Sequence, residues 1–190
     1  SGKCDLEIAI GLETVNDELR EYAINKGFTL KDYVNKARIV NKYCSLKTYI
    51  LVKPPFVTER YAITDAVRSV EFASRYSDTV SLTPVNVQKN TLVEYLWRKN
   101  KYRPPWLWSI VEIIKKSMEN EKVGDVRLFV SSKMGNSSRL PHNCMKCDTD
   151  VVNAITNFSM TQRLDKLNKL NCECMEMYRD FISLEPFVRL

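Results

Sequence analysis

The stretch Leu6-Glu7-Ile8-Ala9-Ile10-Gly11-Leu12-Glu13-Thr14 decides the fold class of this chain. Its first five residues form a short apolar run followed by a turn, which is typical of a buried strand. The turn presents the carboxylate of Glu13. Thr14 and Asp17 then stand at capping-box spacing, so a helix is predicted to follow and to stop at Gly27, where glycine suits a helix end.

The same order of strand and helix repeats along the chain. Further strands are predicted over 46–52, 79–83 and 126–130, and further helices over 29–40, 63–73, 92–97 and 107–118. Strands that alternate with helices of this length predict right-handed β-α-β crossovers and a mostly parallel sheet. Three or four such units are too few to close a complete barrel. We therefore expect an α/β fold with an incomplete barrel.

Length and composition fit one domain with a small appendage. The chain has 190 residues, of which 44% are hydrophobic and 27% charged, enough apolar side chain for a real core. Composition shifts after Ser131, where a polar loop leads into a tail that holds four of the six cysteines. We predict an α/β domain over 3–131 and a small helical cysteine-rich module over 132–190.

Charge and cysteine content narrow the possible partners and compartment. A net charge of +6 and a pI of about 9.0 slightly favour a polyanion such as nucleic acid as partner. No apolar run is long enough to span a bilayer, and no signal peptide opens the chain. Six cysteines without a secretory segment indicate a reducing, cytoplasmic location, where clustered cysteines more often bind metal than form disulfides.

The tail carries two cysteine pairs separated by a predicted helix. Cys144 and Cys147 form a C-x2-C knuckle, and Cys172 and Cys174 form a C-x-C pair. Two such pairs suit a tetrahedral Zn²⁺ site with four sulfur ligands. A second iron–sulfur cluster would also accept four cysteines, and disulfides are a third reading. His142, the only histidine, is a reserve ligand.

The same predicted tail helix carries a row of cations. Arg163, Lys166 and Lys169 fall at spacings i, i+3 and i+6. Such a stripe could contact phosphates, although a solvated helix face explains it equally well.

Polar side chains follow the predicted strands where each strand ends. Glu13 follows the first strand, Lys53 the second, and Gln88 closes the polar stretch 83–88 after the third. In parallel sheets, ligands bind beyond the carboxyl ends of the strands. These groups would suit a nucleoside ribose and an amino-acid moiety, but Glu13 could equally cap a helix and Gln88 could lie on the surface.

The order of these motifs resembles a known enzyme superfamily. Gly11-Leu12-Glu13-Thr14, then Asn16-Asp17-Glu18-Leu19, then Lys26-Gly27-Phe28 is similar to the fourth strand and helix of radical S-adenosylmethionine (radical-SAM) barrels. Residues 82–103 resemble the sixth strand and helix in the branch that includes the Elongator catalytic subunit. With Tyr102-Arg103-Pro104-Pro105-Trp106-Leu107-Trp108-Ser109 and the cysteine-rich tail, the pattern is similar to the family of radical-SAM subunits of archaeosine synthase.

The resemblance implies roles for individual residues. Glu13 stands where these barrels place a Gln or Glu that touches S-adenosylmethionine. Lys26 takes the place of an Arg that pairs with the methionine carboxylate, and Lys cannot form the bidentate fork of Arg. Val87 and Gln88 would lie near the adenine or the substrate.

The chain lacks the motif that holds the catalytic cluster in this superfamily. Radical-SAM enzymes ligate a [4Fe–4S] cluster with C-x3-C-x2-C, a spacing found nowhere here, and Cys4 and Cys44 stand alone. We therefore expect a carboxy-terminal fragment that is inactive by itself. Its first strand should expose an unpaired sheet edge.

For the longer protein, the resemblance implies radical cleavage of a carbon–nitrogen bond in tRNA. The substrate would be a lysine-modified 7-deazaguanine, the product archaeosine, and the partner a tRNA-guanine-transglycosylase-like lysine transferase subunit. Two alternatives stay open: another radical-SAM tRNA modifier, and a non-catalytic zinc-stabilised module for RNA binding or subunit docking.

Overall fold

The computed structural model describes residues 6–185 and is built on one sheet of four parallel strands. The strands follow the sheet in chain order, and all three pairings are parallel. The strands are β1 (Glu7–Glu13), β2 (Ser45–Val52), β3 (Thr79–Pro84) and β4 (Arg127–Val130). The predicted parallel α/β sheet is confirmed, and β1 is an edge strand, as expected.

Seven α-helices and one short π-helical segment complete the described chain. Their bounds are Leu19–Ala23 for the π-helical segment, then α1 (Leu30–Val40), α2 (Glu59–Ala73), α3 (Leu92–Arg98), α4 (Leu107–Met118), α5 (Asp148–Thr161), α6 (Asp165–Asn168) and α7 (Cys174–Leu184). The helix α4 begins and ends where the sequence predicts. Prolines at 104 and 105 cannot continue a helix, so they fix its start.

The two faces of the sheet differ in burial. Along β2, burial alternates residue by residue: Leu46 and Ile50 are fully buried in the core, whereas Lys47 and Tyr49 on the other face are half-buried. A strand places successive side chains on opposite faces. One face is therefore sealed in the core, and the other is left partly open, as on the inner side of an unclosed barrel.

The helix predicted after β1 is shorter and differently capped than expected. Thr14 does not cap it: its hydroxyl accepts from the Asn16 NH at 3.0 Å, ahead of the helix, and donates to Asp65 on α2 at 2.8 Å. Asn16 caps instead: its side-chain oxygen accepts from the backbone NH groups of residues 18 and 19. The segment ends at Ala23, and Asn25 takes a left-handed conformation with φ of 57° before Gly27 is reached.

The tail covers the free edge of β4. At that edge the Gln162 amide accepts from the Leu128 NH at 2.8 Å and donates to the Leu128 carbonyl oxygen at 2.9 Å. The Ser159 hydroxyl accepts from the Val130 NH at 3.2 Å. Side chains thus replace a neighbouring strand, which is one way to protect a sheet edge.

The continuous tail helix and its stripe of cations are wrong predictions. The helix α5 ends at Thr161, and Gln162 is left-handed with φ of 57°, since its amide turns to pair with β4. Arg163 lies beyond this break and pairs with Asp165 at 2.8 Å. Lys166 lies on the separate helix α6, and Lys169 at its end.

The hydrophobic core continues across the predicted boundary at Ser131. Leu128 in β4, Ile110 in α4 and Phe158 in α5 belong to one buried cluster. The division into 3–131 and 132–190 stays a prediction, and its outer ends lie outside the described residues, as does Cys4. Between residues 6 and 185, no helix combines the length and apolar character that crossing a bilayer requires.

Asp65 gives this fold a pH dependence that can be measured. Burial raises the pKa of Asp65 from 3.8 to about 6, against the lowering effect of the Thr14 hydrogen bond. The folded state then holds the proton more tightly than the unfolded chain, so stability falls as pH rises from about 4 to about 6. Asp65→Asn should raise the free energy of unfolding at pH 7.5 by about 1–3 kcal/mol and flatten this slope.

Urea denaturation at pH 4.5 and pH 7.5 measures the effect. Asp32→Asn is the control of opposite sign, because hydrogen bonds from Thr29 lower the pKa of Asp32. That variant should lose stability at pH 7.5. A less stable Asp65→Asn protein at pH 7.5 would contradict the assignment.

Candidate functional site

The carboxyl end of β1 brings together two of the predicted cofactor residues. Lys26 Nζ lies 2.7 Å from Glu13 Oε1. Glu13 is left-handed, with φ of 68°, and the β1–β2 register shifts between Gly11 and Glu13. The irregularity aims the carboxylate at Lys26, so the cation and the anion that were expected to meet a ligand bind each other here.

Gly11 makes room for this ion pair. A Cβ atom at Gly11 would lie 2.3 Å from Glu13 Oε1 and 2.9 Å from Lys26 Nζ. Such distances are far shorter than normal contacts between non-bonded atoms. The absence of a side chain at position 11 therefore allows the pair to sit directly against the strand.

Helix α2 fixes the turn that carries Glu13. Besides the Thr14 bond to Asp65, the Val15 NH donates to the Ser69 hydroxyl at 3.0 Å. The Arg20 guanidinium donates to the Thr14 carbonyl oxygen. These contacts hold the backbone just after Glu13, which orients its carboxylate.

A cavity of about 380 Å³ opens where β2 and β3 end. The exposed residue Gln88 lines it, whereas Glu13 and Lys26 do not. Two lining atoms, Thr83 Oγ1 and Asn86 Oδ1, are buried without a hydrogen-bond partner. Buried polar atoms normally have partners, so this wall is suited to a polar ligand. The polar composition of 83–88 predicted the location but not these two atoms.

The four tail cysteines converge into one cluster. Their Sγ atoms all lie within 4.8 Å of one another, and this group could hold a metal ion. The Sγ–Sγ distances are 3.7 Å for Cys144–Cys147, 3.8 Å for Cys144–Cys172 and 3.7 Å for Cys147–Cys174. They exceed the S–S bond length of about 2.05 Å, and all four cysteines are free.

Two residues outside the cysteine motif organise this cluster. The Trp108 indole NH donates to Cys174 Sγ at 3.2 Å. The buried Asp148 carboxylate accepts from the backbone NH groups of Asn143 and Met145 at 3.0 and 3.1 Å. Sequence reasoning missed both roles. The position of Asp148 directly after the C-x2-C knuckle was the available signal.

Thiol ionisation differs across the cluster. Burial raises the pKa of Cys147 to about 11 and also raises that of Cys174. Burial acts on Cys144 in the same direction, but NH groups of the knuckle outweigh it and lower its pKa to about 7. His142, the reserve ligand, is not part of the four-residue group; its Nδ1 lies 2.7 Å from the Leu140 carbonyl oxygen.

The strand-end residue Lys53 is buried in an ion pair instead of facing a ligand. Its Nζ lies 2.5 Å from Glu59 Oε2, and the two side chains are 6% and 0% exposed. The other Glu59 oxygen accepts from the Trp106 NH at 2.8 Å and from the Ser109 hydroxyl at 2.6 Å. The Tyr102 hydroxyl donates to the Lys53 carbonyl oxygen at 2.8 Å. This loop is therefore firmly held.

The chain has close relatives along most of its length. No family model matches it. Archaeosine synthase subunit beta of Methanosarcina acetivorans is 42% identical over 182 residues, which cover 95% of this chain and 52% of that protein. Archaeosine synthase subunit beta of Thermococcus kodakarensis is also 42% identical over 182 residues, covering 93% and 55%. The chain spans about half the length of these curated relatives.

A solved structure supports the fold. Elp3 of Methanocaldococcus infernus, with residues 1–46 deleted, superposes with a TM-score of 0.53 over 72% of this chain and 32% of that chain. At 12% sequence identity, this likeness shows the fold alone. Together with the four parallel strands, it confirms the predicted partial barrel.

The role of Gly11 can be tested by a double-mutant cycle. Because a methyl group at position 11 displaces both charged ends, Gly11→Ala should abolish the coupling between Glu13 and Lys26. Lys26→Gln should cost up to about 1 kcal/mol of unfolding free energy in the parent chain and nothing in the Gly11→Ala chain. Gly124→Ala is the matched control, since its Cβ meets only a backbone oxygen at 3.6 Å.

Proposed function

The chain is a close homologue of archaeosine synthase beta subunits over about 95% of its length, and on that premise we propose that it acts in tRNA modification. The protein to which it belongs would convert a lysine-modified 7-deazaguanine in tRNA to archaeosine by cleaving a carbon–nitrogen bond. The observation that carries this proposal is the 42% identity to two archaeal beta subunits. The barrel-like sheet, with its polar groups at the strand ends, supports it.

We propose that Glu13, Lys26 and Gln88 contact S-adenosylmethionine. Lys26 would neutralise the methionine carboxylate as a point charge. To do so, it would have to leave its ion pair with Glu13. The unpartnered oxygens of Thr83 and Asn86 offer a hydrogen bond each to a nucleoside. With a [4Fe–4S] cluster, this cofactor supplies the radical for bond cleavage; the chain's own residues bind and orient it.

The cluster ligands of this enzyme would lie outside the present chain. The C-x3-C-x2-C spacing is absent from its 190 residues. We therefore propose that this chain alone is inactive. The complete protein would work in the cytoplasm with tRNA and with a tRNA-guanine-transglycosylase-like lysine transferase subunit.

The four tail cysteines would hold Zn²⁺ in a structural role. Zn–S bonds of about 2.3 Å in a tetrahedron place the sulfurs about 3.8 Å apart, which agrees with the 3.7–3.8 Å observed for three pairs. In a [4Fe–4S] cluster each thiolate binds a different iron, and in a [2Fe–2S] cluster two thiolates share each iron. Sulfurs on different irons would have to lie farther apart than the 4.8 Å within which all four lie here. The geometry therefore favours a single ion over a cluster.

Metal analysis tests the zinc site. The purified protein should contain about one Zn per chain and no acid-labile sulfide. Because zinc binding contributes folding energy, Cys147→Ser should lose the metal and lower the unfolding midpoint. Cys44→Ala, a buried cysteine outside the cluster, should keep the metal. Iron with sulfide in the tail would contradict the assignment.

Lys26 variants of the full-length protein test the cofactor role. Lys26→Gln should raise the KM for S-adenosylmethionine about tenfold or more, because it removes a charge-assisted contact. Lys26→Arg should retain activity. Archaeosine formation in lysine-modified tRNA, measured by nucleoside mass spectrometry, provides the readout, and Lys36→Gln on the exposed side of α1 is the control.

Two outcomes would contradict these proposals. Absence of archaeosine from the full-length protein with reductant and partner would contradict the reaction. An unchanged KM in Lys26→Gln would contradict the assigned role of Lys26.

A further inference from the structure

A second and larger cavity, of about 1040 Å³, lies between the barrel and the tail. Its walls are the loop after β2, the connection between α3 and α4, and the end of α7. This cleft is lined by, among others, Lys53, Phe56, Trp97, Lys101, Arg103 and Glu185. It shares no lining residue with the 380 Å³ cavity, so it is a separate site.

The cleft carries more positive than negative charge. Among the described residues that line it, four are cations and Glu185 is the single carboxylate. The charge of Lys53 is matched by Glu59. Arg103 donates to the carbonyl oxygens of Pro104 and His142, and the carboxylates of Glu59 and Asp148, which do not line the cleft, also act on its charge. Lys101 is exposed, and within residues 6–185 no ion pair is found for it. A polyanion would therefore be attracted here.

The remaining cation, Arg98, adds to the surplus. It shares the Glu94 carboxylate with Arg139, at 3.1 Å and 2.7 Å. Two cations thus face one anion. Because Arg98 is 65% exposed, its guanidinium is free to reach a phosphate while Arg139 keeps Glu94 neutralised.

An exposed aromatic ring stands at the cleft under backbone strain. Phe56 is left-handed, with φ of 71°, a conformation that is costly for a bulky residue. It is also 53% exposed, so little burial offsets the cost. Strain of this kind persists where the surroundings enforce it, and it is often found at binding sites.

The surroundings of Phe56 do enforce its position. Lys53, three residues earlier, is also left-handed, with φ of 60°. It is anchored by Glu59 and by the Tyr102 hydroxyl. The loop is thus fixed at its base and presents Phe56 at the cleft, where the half-buried ring of Trp97 adds a second aromatic wall.

We propose that this cleft binds an unpaired stretch of the tRNA substrate, with a base stacked on Phe56 and phosphates held by Lys101, Arg98 and Arg103. The proposal rests on the proposed function and adds the place and mode of RNA binding. Aromatic platforms beside cations are the recurring means of holding single-stranded nucleic acid. An acidic protein surface would use the charges but would leave an exposed, strained ring without a role.

Fluorescence anisotropy with an unmodified tRNA transcript tests the stacking contact. Phe56→Asn should weaken binding about fivefold or more, because asparagine tolerates the left-handed backbone but cannot stack. Its stability should equal or exceed that of the parent protein. Phe56→Tyr should retain binding. A residue with only a structural role would not lose RNA affinity while stability holds.

Charge removal tests the phosphate contacts. Arg98→Gln with Lys101→Gln should weaken binding about tenfold and reduce the slope of log affinity against log salt by about 2. The matched control, Lys42→Gln with Lys122→Gln, removes the same charge. Both of its lysines are exposed. They lie in the loops before β2 and β4, at the amino-terminal ends of these strands, whereas the cleft lies beyond the carboxyl end of β2. The RNA affinity of this control should therefore stay near that of the parent.

The outcomes separate this proposal from the proposed function. If the parent binds the transcript and every cleft variant binds equally well, the cleft assignment is wrong and archaeosine formation is untouched. If cleft variants lose RNA affinity while the full-length enzyme forms no archaeosine, the result supports RNA binding in the cleft and contradicts the proposed reaction. Variants that bind RNA normally but lose the partner subunit in size-exclusion chromatography would make the cleft a protein-docking surface and overturn the proposal.

Discussion

One fully buried carboxylate, that of Glu59, ties the parts of this molecule together. It accepts from Lys53 in the loop after β2, from the Trp106 backbone and from Ser109 in α4. The Ser109 hydroxyl also lies 3.2 Å from the Tyr178 hydroxyl on α7. A buried charge is tolerated only when it is paired and hydrogen-bonded. Removing Lys53 would leave an uncompensated charge in the core, and removing Ser109 would leave the carboxylate with one hydrogen bond fewer. The barrel loop, α4 and the tail are therefore held in one arrangement.

Most strands and helices could be predicted from the sequence, because in those segments the local sequence pattern and the tertiary packing favour the same structure. The strands predicted over 46–52 and 79–83 and the helix predicted from Thr29 appear within one residue of the expected bounds. Predictions failed where a distant partner outweighed a local preference. Thr14 bonds Asp65 on α2 instead of capping its own helix, and Gln162 turns out of α5 to pair with β4. Neither partner can be identified from local sequence spacing.

The candidate sites were also predictable where local spacing determines them and unpredictable where distant segments do. Paired cysteines predicted the cluster because C-x2-C and C-x-C bring thiols close whatever the fold around them. The Glu13–Lys26 ion pair was predictable only as two residues near one edge, since the bulge that joins them depends on the register between β1 and β2. The large cleft had no sequence signal, because its walls come from segments far apart in the chain.

The cysteine cluster and the large cleft are mechanically linked. Cys174 is the first residue of α7, and residues near the end of α7 form one wall of the cleft, where Glu185 accepts from the backbone NH groups of Glu59 and Arg60. The position of this wall therefore depends on how the cluster fixes the start of the helix. A metal ion bound by the four cysteines would in this way influence the shape of the cleft.

The side-chain seal that Gln162 and Ser159 place on β4 has a consequence for assembly. With the β4 edge closed, β1 is the one strand of residues 6–185 that still has an unpaired backbone edge. If two copies paired through their β1 strands, neither would have a free sheet edge left to bind a third copy. Growth into fibres needs two free edges on each molecule. The Gln162 amide and the Ser159 hydroxyl remove one of them and so oppose such growth.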